Sequence, residues 1–247
     1  MNKTLITITG TWTPSHSSNW IECASTWVPL IKAKGFDVLF LMSNPYLDKD
    51  YEIIGDFFFA KCSDDLNNIY FKNHYYISKY FLNQTDYDYR FHVDSDSFIH
   101  PEKFTNLIKE YTEITPKDYV GCVIPYPGLN TNVFNKLEIE GDNYYASGGS
   151  GFLLSKKAHE PLVNDFKSEN YNNNLSACDK ITGSLLHQNG IKLWHDSRIL
   201  FESPYKRTIS DPHNLGTPFI GDKDSFLCVQ HYCNGHMREI LNKIYSI

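Results

Sequence analysis

Residues 89–98, YRFHVDSDSF, carry the most informative pattern in the chain. An apolar strand over 89–93 leads directly into two acidic residues, Asp94 and Asp96. Alternate residues of a strand share a face, and the backbone turns where the strand ends, so both carboxylates can converge on one cation. Open α/β sheets place their ligand sites at the carboxyl ends of strands. The sequence therefore predicts an α/β sheet with a cation site where this strand ends.

The acidic pair has several interpretations. Asp and Ser are ordinary turn residues, so the pair can be a solvated turn. A calcium loop is excluded, because Ile99 stands where its sharp-turn glycine belongs and Thr105 where its bidentate glutamate belongs. A phosphatase with Asp94 as nucleophile fits the pattern. So does a nucleotide-sugar transferase, in which the pair holds a divalent metal against a diphosphate. The motif alone leaves these three open.

Predicted strands and helices alternate along the chain. The strands are expected at 3–9, 36–41, 57–60, 89–94, 119–125, 151–154, 191–194 and 226–230. The helices are expected at 18–34, 65–82, 101–111, 155–167, 176–188 and 235–246, and residues 126–143 are expected to be irregular. This alternation predicts a mainly parallel sheet with helices on both faces.

The composition fits a single domain over residues 1–247. Hydrophobic residues make up 41% of the chain, enough for a core, and no linker or repeat divides it. The net charge is −6, and the basic clusters, Lys156-Lys157 and Lys206-Arg207, are only doublets. This pattern excludes a nucleic-acid-binding protein.

The spacing of the cysteines and the hydropathy of the chain provide evidence about its cellular compartment. The six cysteines show neither C-x-x-C nor zinc-finger spacing, and an even count permits disulfides without requiring them. No apolar run approaches the roughly 20 residues that span a bilayer. Residues 4–9 already read as a strand, so we expect no signal peptide. We expect a cytoplasmic protein, or a Golgi-lumenal one if the sequence is part of a longer chain.

Four further segments carry a family resemblance. YASGGSGFLLS at 145–155 is close to the pattern aromatic-x-[ST]-G-G-x-G-[FY]-x-x-S, and CDKITG at 178–183 resembles an acidic-Asp-x-x-x-Gly helix. Thr26-Trp27 follow His16 in the first helix, and VQHY at 229–232 ends the last strand. With the acidic pair, these segments resemble the fringe and mucin-type β-1,3-galactosyltransferase group, glycosyltransferase family 31.

The resemblance implies a GT-A fold, a Rossmann-like α/β fold that binds nucleotide sugars. A donor-binding part would span about 1–125 and an acceptor-binding and catalytic part about 126–247. The implied activity is an inverting, metal-dependent transfer of galactose, N-acetylglucosamine or glucose from a UDP-sugar to an acceptor hydroxyl, with a β-1,3 link. The acceptor would be a glycan or a glycosylated molecule. Mn²⁺ is the expected metal, with Mg²⁺ as the alternative.

The resemblance also assigns roles to residues. Asp96, His231 and Asp94 are expected to ligate the metal, and Asp94 is also expected to lie beside the ribose or sugar of the donor. Asp179 is expected to be the general base that takes the proton of the acceptor hydroxyl. The expected contacts to the donor are Thr9, Asp94, Ser95, Asp96, Gly148 and Gly149.

Simpler interpretations of these residues stay open. The glycine-rich segment can be a tight turn before a buried strand instead of a ligand loop. Asp179, three residues after Ser176, fits a helix N-terminal cap. His92 is expected to be structural. Lys72 is expected to lie on the surface, with a role as a basic partner for the donor as the alternative.

The chain departs from the family pattern at three positions. Ser95 replaces the middle acid of an acidic triplet, Cys178 replaces an acid before Asp179, and Asn19 replaces an arginine of fringe enzymes. A catalytically silent relative that binds UDP or a glycan therefore stays open. Aromatic residues in 126–146 and 194–201 are candidate acceptor walls, although core packing explains them as well.

Overall fold

The computed structural model describes residues 2–83, 86–124, 136–139, 144–168, 178–200, 228–230 and 235–245. Its strands are β1 (Thr4–Thr9), β2 (Asp37–Ser43), β3 (Tyr51–Ile54), β4 (Phe57–Ala60), β5 (Tyr89–Asp94), β6 (Phe98–Ile99), β7 (Tyr119–Gly121), β8 (Val123–Ile124), β9 (Lys136–Ile139), β10 (Tyr145–Ala146), β11 (Phe152–Ser155), β12 (Leu193–Asp196), β13 (Ile199–Leu200) and β14 (Val229–Gln230).

The α-helices are α1 (Pro14–Ser25), α2 (Trp27–Ala33), α3 (Tyr76–Asn83), α4 (Pro101–Lys109), α5 (His159–Asn164), α6 (Cys178–Gln188) and α7 (Met237–Tyr245). Short 3₁₀ turns cover Leu66–Asn68 and Lys156–Ala158, and π-helical turns cover Phe71–Tyr75 and Glu110–Ile114. No helix of the described ranges is both long enough and apolar enough to span a bilayer.

The main sheet has the strand order β3-β4-β2-β1-β5-β11-β7-β12-β9. Six strands (β4, β2, β1, β5, β7 and β12) run in one direction, and β3, β11 and β9 run against them. β1 and β5 are parallel neighbours in register, with Thr9 beside Asp94. Two smaller sheets join β10 to β8 and β13 to β14 to β6. The predicted α/β class, with a mainly parallel sheet, is confirmed.

Helices cover both faces of the sheet, because alternate strand residues point to opposite faces and both sets are apolar. On one face, Ile6, Ile8, Val38, Phe40, Phe91 and Val93 pack with residues of α1, α2, α4 and α7. On the other face, Leu5, Leu39, Leu41 and Phe58 pack with α3, and Phe152 and Leu154 pack with α5 and α6.

Two predicted helices are interrupted. The first starts earlier than expected, at Pro14, and breaks at Thr26, whose backbone leaves helical geometry at φ −120° and ψ −91°. The second, expected over 65–82, is a 3₁₀ turn, a π-helical turn and then α3. The π-helical turn buries Lys72, Asn73 and His74. Such turns frequently occur at functional sites.

The segment 126–143 was expected to be irregular, and this is wrong for Lys136–Ile139. These residues form edge strand β9, antiparallel to β12. The partner strand is more than fifty residues away in the sequence, so no local pattern indicates the pairing.

Five cysteines (Cys23, Cys62, Cys122, Cys178 and Cys228) are buried free thiols. Cys233 lies outside the described residues.

Candidate active site

A cavity of about 450 Å³ opens where β1 and β5 end. It is lined by Thr9, Thr11, Thr13, Asn19, Asp64, Asp65, Leu66, Ile69, Lys72, Asp94, Ser95 and Asp96. Thr9, Asp94, Ser95 and Asp96, four of the residues predicted to bind the donor, therefore lie in one cavity. Its volume is within the range of small-molecule sites, roughly 300–1,000 Å³.

The turn that carries the acidic pair is held from several sides. The Ser95 carbonyl accepts from the thiol of Cys23 at 3.0 Å, and the Ser97 carbonyl accepts from the indole N–H of Trp27 at 3.1 Å. The Ser97 hydroxyl donates to the Gly149 carbonyl at 2.5 Å. Asp94 and Asp96 themselves are only half-buried. The backbone is thus fixed from the core, while both carboxylates line the cavity.

Lys72 is a buried cation of this cavity, with 5% of its surface exposed, and the expectation of a surface lysine is wrong. Its Nζ donates to Oδ1 of Asp64 at 2.9 Å and to the Gly10 carbonyl at 2.7 Å. An ammonium group has three N–H donors, so one more is available beyond these two. The π-helical turn brings this charge to the end of β1.

Asp64 receives three hydrogen bonds. Besides Lys72, the Thr11 hydroxyl donates to its Oδ2 at 2.7 Å and the Trp12 backbone N–H at 2.9 Å. Partial burial alone would raise the pKa of this carboxyl, but the Lys72 charge and the hydrogen bonds outweigh it and lower the pKa. Asp64 therefore stays ionised and ties the loop after β1 to Lys72.

Asp179 lies in the first turn of α6 and reaches the glycine-rich loop. The Gly148 N–H donates to its Oδ2 at 2.7 Å, and the Cys178 thiol lies 3.4 Å from its Oδ1. A Cβ on residue 148 would lie 2.4 Å from Oδ1, so only glycine allows this approach. The Gly148 amide, expected to contact the donor, binds Asp179 in this structure.

Gly149 and Gly151 hold the same loop against β5. The Gly149 carbonyl accepts from Ser97, as described above. Gly151 has φ +89°, and a Cβ there would lie 2.6 Å from the His92 carbonyl. The cavity lining includes neither Gly148 nor Gly149. The glycine-rich segment forms a tight turn before β11, and its bonds to Ser97 and Asp179 connect the acidic-pair turn with α6.

A group of basic side chains is buried beneath the cavity. His92 contacts the Thr7 hydroxyl through Nδ1 at 3.3 Å and the Thr9 hydroxyl through Nε2 at 3.4 Å, which agrees with its expected structural role. Arg90 donates to the Asn73 carbonyl at 2.9 Å. Burial lowers the pKa of His92 well below its usual value and lowers the pKa of Arg90 to about 9. At neutral pH the imidazole is uncharged and the guanidinium is charged.

Comparison with known families decides the identity. The family described as Fringe-like matches residues 23–195 of this chain. The chain belongs to the Fringe-like family. This match confirms the predicted resemblance. The protein is therefore a glycosyltransferase with a GT-A-type α/β fold.

Two further comparisons add little. A comparison with curated protein sequences gives no significant match. Among solved structures, one match is the crystal structure of a glycosyltransferase involved in the glycosylation of the major capsid of PBCV-1. It is 13% identical, with 98% of this chain and 100% of that chain covered and a TM-score of 0.39.

Some predicted site residues of this Fringe-like chain cannot be placed. His231, expected to ligate the metal, lies outside the described residues, as do 201–227 and most of 126–143. Asn19 lines the cavity where fringe enzymes are expected to carry an arginine.

The candidate acceptor walls differ in their surroundings. Trp194 donates through its indole N–H to the Tyr111 hydroxyl at 3.0 Å, and the Lys117 ammonium lies 3.9 Å from its ring centre. Its packing is that of a structural residue. Tyr145 is half-buried and contacts α6 at Gly183, where a Cβ would lie 2.4 Å from the tyrosine Cβ. Tyr145, in β10, therefore packs against the helix that carries Asp179.

Sequence reasoning missed Asp64 and His74. Asp64 directly precedes the predicted helix over 65–82, and His74 lies within it. The regular helical periodicity expected there places no polar side chain against the sheet. The Lys72-Asn73-His74 run between aromatic residues 70–71 and 75–76 is the one signal that could have indicated a buried polar site.

Proposed function

We propose that this Fringe-like glycosyltransferase uses a UDP-sugar donor, depends on a divalent metal, and transfers a hexose with inversion to form a β-1,3 link. The observation that carries the proposal is that Asp94, Asp96 and the buried cation Lys72 line a single cavity at the end of β1 and β5. Two carboxylates and an ammonium group suit a ligand that brings both a metal cation and a diphosphate.

The residues present fit a metal of the Mn²⁺ or Mg²⁺ type. Asp94 and Asp96 offer hard carboxylate oxygens at the end of one strand, which are the ligands these ions prefer. His231 is the third ligand we propose, from its place in the family motif. When bound, the metal neutralises negative charge on the departing UDP.

The cavity also offers contacts for the rest of the donor. Lys72 has an available N–H and lies in a mostly buried environment, where its charge is weakly screened. We assign it to the diphosphate. Thr9, half-buried at the end of β1, offers a hydroxyl to the nucleotide or sugar.

Asp179 is the proposed general base. Gly148 holds Oδ2 with its backbone N–H, which orients the carboxylate and leaves acceptor capacity on both oxygens. The carboxylate takes the proton of the acceptor hydroxyl as that oxygen attacks the anomeric carbon. The C–O bond to UDP breaks as the new bond forms, so inversion requires one displacement and no covalent enzyme intermediate.

A panel of donors tests the proposal. UDP-galactose, UDP-N-acetylglucosamine and UDP-glucose are each incubated with the protein and Mn²⁺, with and without glycan acceptors, and UDP release is measured. We expect release from at least one donor, an increase with acceptor, and loss in EDTA. UDP binding without release from any donor would instead identify a silent binding relative.

The phosphatase alternative is tested in parallel. It requires hydrolysis of an aryl phosphate and trapping of a beryllofluoride adduct on Asp94. We expect neither. A clear signal in both would overturn the transferase assignment.

A further inference from the structure

His74 lies fully buried in the π-helical turn, stacked on Phe152 with ring centres 5.7 Å apart. Nη2 of Arg90 lies 3.3 Å from its Nδ1. Burial lowers the pKa of His74 well below its usual value, and the charge of the Arg90 guanidinium adds to this effect. The imidazole is therefore neutral and carries a single N–H.

The Arg90 contact determines which nitrogen carries that hydrogen. A guanidinium group only donates hydrogen bonds, so Nδ1 of His74 must accept. The hydrogen is then on Nε2. Nε2 is fully buried and has no hydrogen-bond partner among the described residues. A buried donor without an acceptor is costly, so this N–H needs an explanation.

The residues around His74 supply an explanation for this buried N–H. A ring nitrogen of His74, the Cys178 Sγ and a carboxylate oxygen of Asp179 all lie within 4.8 Å of one another. In the described part of the chain, this is the one group of three such side chains close enough for a shared metal. A metal is nevertheless disfavoured, because a lone pair on Nε2 would require a hydrogen on Nδ1, facing Arg90.

We propose that His74 is a positioning residue for Asp179, which its Nε2–H holds by a hydrogen bond when the acceptor is bound. This inference rests on the proposed role of Asp179 as general base. Catalytic hydrogen bonds are often long in the free enzyme and shorten in the reactive complex. With Gly148 on Oδ2, a donor from His74 holds the carboxylate in one orientation, and Arg90 keeps the imidazole in the donating tautomer.

Two substitutions at the same position separate this role from packing. His74→Asn keeps an acceptor near Arg90 but is too short to replace the Nε2–H. His74→Gln reaches farther and offers an oxygen to Arg90 and an N–H₂ group to Asp179. We expect His74→Asn to lower kcat about 10- to 100-fold, the usual effect of losing a hydrogen bond to a charged group. His74→Gln should stay within about threefold of the unmodified protein, and KM for the UDP-sugar should be unchanged in both variants.

His159 provides the matched control. It is also fully buried, and its Nε2 has no hydrogen-bond partner in the described part of the chain. Unlike His74, it contacts the Ser78 hydroxyl through Nδ1 at 2.8 Å and does not belong to the group that contains Asp179. His159→Asn should leave kcat per folded molecule unchanged, with folding followed by melting temperature. Equal losses of kcat in His74→Asn and His159→Asn would overturn the inference. If His74→Asn does not fold, a folded His74→Gln with kcat reduced more than tenfold would overturn it as well.

The same variants in an Asp179→Asn background separate the inference from the proposed function. We expect His74→Asn to cause no further loss there, since residues that act through one group are not additive. If Asp179→Asn itself keeps full turnover, the base assignment and the His74 inference both fail. If Asp179→Asn loses turnover but His74→Asn does not, only the His74 inference fails.

Discussion

The backbone N–H of Gly148 donates to Oδ2 of Asp179 over 2.7 Å, across 31 residues of sequence. This bond joins the first turn of α6 to the glycine-rich loop, and the same loop is bonded to Ser97 just after the acidic pair. One short segment of backbone therefore connects the proposed base with the turn that carries Asp94 and Asp96.

Asp179→Asn tests the base. The variant keeps an oxygen that can accept from Gly148 but cannot take the acceptor's proton. We expect turnover to fall by roughly 10²–10⁴, the usual contribution of a positioned base. Melting temperature and the affinities for UDP and Mn²⁺ should change little. If Asp179 is only a helix cap, Asn replaces it well and turnover stays near normal.

Asp96→Ala and His231→Ala test the metal ligands. In the unmodified protein, calorimetry should show tight UDP binding with Mn²⁺ and weak binding in EDTA, because the diphosphate would otherwise meet Asp94 and Asp96 without a counter-charge. In each variant, the UDP affinity with Mn²⁺ should be as weak as the affinity in EDTA. The melting temperature of the metal-free protein should be unchanged.

The neighbouring histidine, His236, provides the control for His231→Ala. It lies 3.6 Å from Glu239. His236→Ala should keep metal-dependent UDP binding. If His236→Ala loses it and His231→Ala does not, the placement of the last family motif is wrong.

Lys72→Met tests the buried ion pair. Removing the cation leaves Asp64 partly buried beside an apolar side chain, and we expect a loss of about 3 kcal/mol in the free energy of unfolding at pH 7. UDP affinity should fall as well, because the diphosphate loses a cation. Lys79→Met is the control, since Lys79 pairs with Asp50 on the surface at 2.8 Å and exposed pairs contribute little.

The pH dependence of Lys72→Met has a defined sign. The folded pKa of Asp64 lies below its unfolded value, so this carboxyl stabilises the fold above the unfolded pKa of about 3.9. The contribution is lost as the pH falls through the lower, folded pKa. The melting temperatures of the variant and the unmodified protein should therefore converge below about pH 4. A constant difference down to pH 2 would contradict the ion-pair explanation.

Gly151→Ala tests the close approach behind the acidic pair. Gly151 and Gly190 both have positive φ, +89° and +71°, so alanine is strained at each. At Gly151 the added methyl also meets the His92 carbonyl at 2.6 Å, whereas nothing lies within 4 Å at Gly190. We expect Gly190→Ala to cost about 1 kcal/mol and Gly151→Ala at least about 2 kcal/mol more, measured by urea unfolding. Equal losses would show that the loop relaxes without cost.

Local patterns were sufficient for much of the fold. The predicted strands over residues 3–9 and 89–94 agree with β1 and β5 to within one residue, and Pro101 begins α4 as expected. Runs of buried apolar residues and helix-start signals are local properties, so short windows of sequence are enough to predict these elements. β9 was missed because its pairing with β12 depends on a segment far away in the sequence.

By itself, the sequence determined the family, the α/β class and the acidic pair at the end of a strand, since these follow from residue order over short windows. Only the tertiary structure decided that Lys72 is buried against Asp64, that the Gly148 amide binds Asp179, and that His74 lies within 4.8 Å of that carboxylate and contacts Arg90 through Nδ1. The physical reason is that each of these contacts depends on how the π-helical turn, α6 and the glycine-rich loop pack on β5. Burial and hydrogen-bond partners are set by that packing, and residue order alone does not specify it.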